Sequence, residues 1–203
     1  MTMRILLAVI ISYLFGSVPW ALVIGKVFYK TDVRKAGSGN LGASNAGRVL
    51  GKKAGISVTI LDALKAFLSM LIASVIAPEA ILYAGLACCI GHCFPIFAGF
   101  KGGKAVATSY GYLLGITVLL TKHYFGELLL PVLCFFVVLY LGKMVSLASI
   151  LSLLCAVIMT FFFHEPMPIR ICLFLLWLFV TYRHRSNLER IRNGTENKIK
   201  WMG

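Results

Sequence analysis

An all-α bundle of about seven membrane-spanning helices is the fold class this sequence predicts, and three observations carry it. Of 203 residues, 60% are hydrophobic and only 13% charged, with a mean hydropathy of +0.90, far above the apolar share of an ordinary water-soluble domain. Apolar runs of membrane length follow one another with short polar breaks. The basic residues collect in alternate breaks.

A bilayer core of about 30 Å needs about 20 apolar residues of helix. Runs near 5–28, 54–77, 80–99, 105–121, 126–142, 144–163 and 169–182 approach that length. The last is short, and only Gly142 and Lys143 divide the fifth from the sixth. The first, with Leu6 to Gly25 at its centre, exceeds a signal-peptide core and lacks a small-residue cleavage pattern, so it reads as a retained helix. Little chain is left for a separate soluble domain.

Cytoplasmic loops carry the Lys/Arg excess. Placing the breaks alternately on two sides puts sixteen of the twenty basic residues on one of them: seven within 26–53, Lys101 and Lys104, Lys143, and six in the tail. The other side holds Arg4, Lys122 and Arg170, with an acid in each of its three loops, Glu79, Glu127 and Glu165. The N-terminus is therefore expected outside and the C-terminus in the cytoplasm. The net charge of +13 points to anionic substrates or lipid headgroups rather than nucleic acid, because no interleaved aromatic and basic platform lies outside the apolar runs.

Lys65 is the remaining basic residue, three positions after Asp62 within the second run. That spacing sets both on one helix face. Each charge costs about 2.5–3.5 kcal/mol at mid-bilayer, so both are expected to face protein or water, as a structural ion pair in the first instance. The six cysteines lie in apolar runs without metal-ligand spacing and read as small hydrophobes; no metal and no cofactor is expected.

Three polar segments carry chemistry. The stretch GSGNLGASNAGRVLG, Gly37 to Gly51, is dense in Gly, Ser and Asn between Lys35 and Lys52. Glycines let backbone N–H groups turn toward an anion, and Ser, Asn and Arg add donors, so this loop reads as a phosphate cradle; a flexible connector is the alternative. Gly37, Gly39 and Gly42, with Asp62 about 20 residues on, match the dinucleotide-binding fingerprint literally, but no strand precedes them. The second segment, FKGGKAVAT from Phe100 to Thr108, sets Gly102, Gly103 and Lys104 at the start of the fourth helix, where unpaired N–H groups would favour a phosphate. It is not a Walker A loop: the spacing from Gly99 is one residue short and Ala105 replaces Ser/Thr. Positive-inside anchoring by Lys101 and Lys104 is the alternative. The tail, YRHRSNLERIRNGTENK from Tyr182 to Lys198, places His184, Asn187 and Arg190 or Ile191 at helical spacing. It reads as a site face or as a basic anchor on anionic headgroups.

Among the other histidines, His92 lies within a span and is either functional or bonded to a neighbouring carbonyl, while His123 and His164 fall on the opposite side with no catalytic role expected. No histidine is followed five residues later by aspartate, so the His-Asp pair of one large glycerolipid acyltransferase class is missing.

Taken together, GSGNLGASN with Arg48, KGGKAVAT, and HRSN followed by NGTE resemble the bacterial acyl-phosphate–glycerol-3-phosphate acyltransferase family, over the whole chain. The resemblance implies a single transmembrane acyltransferase domain, 1–203, in the bacterial inner membrane, with cytoplasmic segments near 30–53, 100–108, 143–149 and 182–203. It implies transfer of a fatty acyl group from acyl phosphate to the sn-1 hydroxyl of glycerol 3-phosphate, giving lysophosphatidic acid and phosphate, and a possible soluble enzyme that makes the acyl phosphate. By the same resemblance Ser38, Arg48, Lys104, His184 and Asn187 are catalytic, while Gly37, Gly39, Asn40, Asn45, Lys101, Gly102, Gly103 and Ser146 bind substrate. Glu196 is a structural partner of a basic group, beside the Asp62 and Lys65 pair. Two positions depart from the family pattern: Ala105 stands where glycine is expected and Ser44 where threonine is common. A small anion transporter would use the same basic loops, but it predicts midplane ionisable groups and paired discontinuous helices. A lipid-binding scaffold leaves the Gly/Asn-rich loop unexplained.

Overall fold

The computed structural model describes residues 2–199; Met1 and the last four residues of the expected tail segment lie outside them. Among the described residues all regular structure is helical. The chain forms two compact units, residues 1–116 and 117–203.

The first unit contains α1 (Met3–Gly16), α2 (Trp20–Tyr29), α3 (Ala43–Leu50), α4 (Lys52–Ile76), α5 (Ile81–Cys93) and α6 (Val106–Ile116). α4 is central, packing against each of the others. Small residues permit the closest approaches, as expected where van der Waals packing joins helices in lipid. A Cβ on Gly16 would lie 2.1 Å from the Cys88 carbonyl oxygen and one on Gly91 2.3 Å from that of Tyr13, which fixes α1 on α5. Gly111 does the same for α6, 1.9 Å from the carbonyl of Ala63 on α4.

The first apolar run is two helices rather than one. Pro19 supplies no N–H, and the chain breaks at 17–19. Broken backbone within a membrane persists only where protein satisfies its polar groups. Here the Ser17 hydroxyl donates to Tyr13 O at 2.9 Å, and the Val18 carbonyl accepts from Lys65 Nζ at 3.1 Å.

In the second unit a π-helical turn, Thr117–Thr121, a short break and a second π-helical turn, Phe125–Leu129, lead into α7 (Leu130–Gly142). Then come α8 (Val145–Phe162), α9 (Met167–Arg183) and α10 (Arg185–Arg192). α7 and α8 form a hairpin whose turn is Lys143, left-handed at φ 57°, and Met144. α8 is the central element, against α7 on one side and α9 on the other. Much of α7 is apolar and exposed, including Phe136, Tyr140 and Leu141, the surface that acyl chains cover in a bilayer.

Each of the seven apolar runs is helical. Among the described residues five helical segments are long and apolar enough to cross a membrane, and a sixth is added if α9 and α10, bent by 59°, are one span. The fourth run, Val106–Thr121, is shorter. All six cysteines are free.

Candidate active site

In the first unit the Gly-rich segment is far more ordered than a connector. Asp32 caps a 3-10 turn, Val33–Lys35, accepting from Arg34 N at 3.0 Å and pairing with the Arg34 guanidinium at 2.6 Å. The Arg34 hydrogen bond outweighs the opposing effect of partial burial and holds the Asp32 carboxyl well below the usual carboxylate range. Between α2 and α3 only 30–32 and 36–42 are irregular.

Asn45, on α3 and 2% exposed, organises this segment. Its Oδ1 accepts the Ser38 N–H at 2.8 Å, while its Nδ2 donates to Val33 O at 2.9 Å and Ala36 O at 3.3 Å. The carboxamide expected at the substrate is therefore engaged with the loop, and it sets the backbone from which the exposed Ser38 side chain projects. Gly37 has φ +62°, and a Cβ there would meet Asn45 Oδ1 at 2.3 Å. Gly39 is likewise left-handed at φ +67°. Asn40 accepts from Gly42 N at 2.9 Å, and its Nδ2 makes a long contact of 3.5 Å with Gly102 O, bringing the two loops of this unit together. Arg48 lies exposed in the last turn of α3.

The second loop corrects an expectation. Gly102, Gly103 and Lys104 were expected to open the fourth helix with free N–H groups, but α6 begins only at Val106. Phe100 and Ala105 take left-handed φ values, 60° and 59°, and between them the backbone folds back on the end of α5. Gly102 N donates to Cys93 O and Gly103 N to His92 O, both at 3.1 Å. A Cβ on Gly103 would lie 2.0 Å from His92 Nε2, and one on Gly102 2.1 Å from His92 O. These glycines serve close approach to His92, so an anion here would meet side chains: Lys101, exposed, and Lys104, half-buried.

Beneath them His92 joins a buried polar cluster. Lys65 Nζ lies 2.9 Å from His92 Nδ1 and 2.8 Å from Asp62 Oδ1, the latter an ion pair by distance without hydrogen-bond alignment. The residues are 1% (Asp62), 3% (Lys65) and 6% (His92) exposed. The same His92 Nδ1 lies 3.4 Å from Asp62 Oδ1, so the ring stands between the ammonium and the carboxylate. The expected pair is thus a three-membered support for the second loop. Only the i, i+3 spacing of Asp62 and Lys65 was visible in sequence.

Ala105, where glycine was expected, is fully buried in the left-handed region, and its carbonyl accepts from the Ser109 hydroxyl at 2.6 Å. The position needs positive φ, which costs a non-glycine residue about 1–2 kcal/mol. Ala105→Gly is expected to raise stability by about 0.5–1 kcal/mol, less than the full relief because a buried methyl is lost. A higher midpoint of thermal unfolding in detergent checks it.

In the second unit the tail folds onto the α7–α8 turn. Glu196 accepts from Ser146 Oγ at 2.7 Å and Asn187 Nδ2 at 2.6 Å, both on Oε1, and from Arg190 Nε at 2.8 Å on Oε2. Ile199 N donates to Lys143 O at 2.8 Å. Ser146 and Asn187, expected at substrate, thus each bind the tail carboxylate. His184, 3% exposed at the start of α10, has Nδ1 2.8 Å from Val180 O. A carbonyl can only accept, so the Val180 oxygen places a ring proton on Nδ1.

Burial alone would raise the Glu196 pKa, but the hydrogen bonds from Asn187, Ser146 and Arg190 outweigh it and hold the group below its ordinary value. A carboxyl lowered on folding stabilises above its unfolded pKa of about 4.3, and that contribution is lost as pH falls through the folded value. Hydrogen exchange over 193–199 is expected to be slow near neutrality and to speed up in acid relative to its intrinsic rate. Glu196→Gln is expected to lose the acid-dependent step.

The glycerol-3-phosphate acyltransferase family matches residues 6–194. A glycerol-3-phosphate acyltransferase of Listeria monocytogenes is 45% identical over 206 residues, covering 100% of both chains. That of Bacillus subtilis is 47% identical over 201 residues, covering 98% of this chain and 100% of its own. Among solved structures, the fold is similar to PlsY (YgiH), an integral membrane glycerol 3-phosphate acyltransferase, in its glycerol 3-phosphate form: TM-score 0.88, 35% identity, covering 97% of this chain and 96% of that one. Its lysophosphatidic acid form gives a TM-score of 0.84 at 35% identity, covering 97% and 95%. The chain belongs to the glycerol-3-phosphate acyltransferase family, and it is an integral membrane acyltransferase of the PlsY type.

Proposed function

We propose that this acyltransferase takes its acyl group from acyl phosphate and passes it to the sn-1 hydroxyl of glycerol 3-phosphate, at the cytoplasmic face of the bacterial inner membrane. The observation that carries the reading is a conjunction: two adjoining glycine-rich loops, one carrying Ser38 ahead of Arg48 and the other Lys101 and Lys104, in a chain alike over nearly its whole length to an enzyme solved in glycerol 3-phosphate and lysophosphatidic acid forms. Both substrates bear phosphate. The acyl chain belongs in the bilayer and glycerol 3-phosphate in water, so the reaction belongs at an interface. The cationic excess in alternate loops supports the cytoplasmic one.

In the reaction the sn-1 oxygen attacks the acyl carbonyl carbon, forming the ester bond. The bond from that carbon to the phosphate oxygen breaks, and inorganic phosphate leaves with the electron pair. An acyl phosphate is a mixed anhydride whose leaving group departs without protonation, so positioning and charge neutralisation supply the rate. Arg48, Lys101 and Lys104 are the cations assigned to substrate phosphates, with the Ser38 hydroxyl as a further donor. Asn40, Asn45, Gly37, Gly39, Gly102 and Gly103 hold the loops that present them. The hydroxyl proton goes to a substrate phosphate oxygen or to His184 Nε2. A soluble enzyme that makes acyl phosphate is the supply this substrate requires.

Purified protein in detergent with synthetic acyl phosphate and glycerol 3-phosphate is expected to yield lysophosphatidic acid and phosphate in equal amounts. Product from acyl-CoA or acyl carrier but not from acyl phosphate would overturn the donor. His184→Ala at saturating substrates separates the two proton acceptors: a fall in kcat of many orders of magnitude assigns the base to His184, and a modest one to the substrate.

A further inference from the structure

At the end of the second unit away from the Glu196 cluster, His123, Glu127 and Glu165 bring a ring nitrogen and two carboxylate oxygens within 4.8 Å of one another. We propose that these three residues form a divalent-metal site of the zinc or manganese class, which ties the segment leading into α7 to the α8–α9 turn.

The site is built, beyond a gathering of acids. The two π-helical turns flank a break at Lys122, left-handed at φ 65°, and π-helical segments recur at functional sites. The break sets His123 and Glu127 one turn apart, with Glu127 N donating to His123 O at 3.0 Å. Glu165 follows α8, its N–H on Thr160 O at 2.9 Å. His123 Nδ1 lies 2.6 Å from Glu165 Oε1, and the imidazole stacks on Phe163 with centroids 4.5 Å apart and planes at 19°. Phe163 in turn seats on Gly126, where a Cβ would lie 2.0 Å from the ring.

Glu127 points most directly to a cation. The residue is fully buried; its Oε2 accepts the Thr121 hydroxyl at 2.6 Å, but Oε1, also buried, has no hydrogen-bond partner among the described residues. A buried carboxylate oxygen without a donor is costly, and this one belongs to a carboxylate beside a second carboxyl and an imidazole. The neighbouring ammonium of Lys122 does not serve it, donating instead to Val118 O. Ligands about 2.0–2.2 Å from a metal stand about 3–4.4 Å apart, which this grouping reaches with small shifts. One imidazole and two carboxylates suit a first-row divalent ion, whose charge the two carboxylates balance. His123, with a side chain 41% exposed, leaves access from water.

Untagged protein in detergent, stripped with chelator and titrated with Zn²⁺ or Mn²⁺, is expected to retain about one equivalent of one ion per chain through size exclusion, with a thermal midpoint that rises with metal concentration. His123→Ala and the near-isosteric Glu127→Gln are expected to weaken binding more than about 100-fold while staying monodisperse with parental acyltransferase activity. Metal retention equal in the parent and Glu127→Gln overturns the proposal. A parent that binds neither ion, and loses stability as pH rises, holds a shared proton between the two carboxyls, which also overturns it.

Discussion

Lys65→Met is expected to destabilise the first unit by about 3–5 kcal/mol, the cost of removing one partner from a buried ion pair. Asp62, 1% exposed, would lose the ammonium 2.8 Å away, the Val18 carbonyl would lose the donor that permits the break before Pro19, and His92 would lose its contact with Lys65 Nζ. The damage is therefore larger than the pair alone suggests, because the one ammonium serves the Asp62 ion pair and also contacts Val18 O and His92 Nδ1 on other segments. For a chain of 203 residues this corresponds to a fall in thermal midpoint on the order of 10 °C. The double variant Asp62→Asn/Lys65→Met is expected to recover only the share due to the uncompensated charge, since the Val18 carbonyl and His92 still lack the Lys65 ammonium. A single variant within about 1 kcal/mol of the parent would mean that the cluster is open to water.

The same cluster shows how far sequence could reach. Asp62 and Lys65 are three residues apart on one helix, so their pairing was legible from local geometry. His92 is 27 residues beyond Lys65 and Val18 is 47 before it; their meeting depends on how α1, α4 and α5 pack, which no local pattern encodes. The seven apolar runs were legible because membrane burial needs only length and composition. Pro19 was visible but read through, since the apolar run continues across it.

The second loop was misread for a physical reason. Paired glycines before a helix suit an anion-binding N-terminus and a close backbone crossing equally well, and only the helix start at Val106 decides between them. What the departure at Ala105 signified was a demand on φ. In the tail, helical spacing brought Asn187 and Arg190 to one face as expected, but the carboxylate they share, Glu196, comes from beyond the end of α10. His123 and Glu127 stand four apart, a spacing with ligand meaning on a helix; the break at Lys122 just before them and the distant Glu165 concealed it.

Arg48→Ala is expected to lower kcat/KM by about 10²–10³-fold, the usual range for loss of one group that stabilises charge in a transition state, with a thermal midpoint close to the parent's. The two effects separate because Arg48 is exposed, while α3 is held by Asn45 and by its packing on α4, where Gly47 and Gly55 meet. How the loss divides between kcat and KM identifies the phosphate involved. If Arg48 grips glycerol 3-phosphate equally in ground and transition states, KM for that substrate rises and kcat holds; if it meets charge developing on the departing phosphate, kcat falls at saturation. Once the second loop's glycine N–H groups are committed to His92 and Cys93, side-chain cations must supply most of the anion recognition, and Arg48 is the one on a rigid helix rather than a loop. Arg48→Lys is expected to recover part of the activity, because a point charge replaces the charge but not the two-pronged hydrogen bonding of a guanidinium. Parental kinetics in Arg48→Ala would remove it from the site and leave Lys101 and Lys104 as the cations to test.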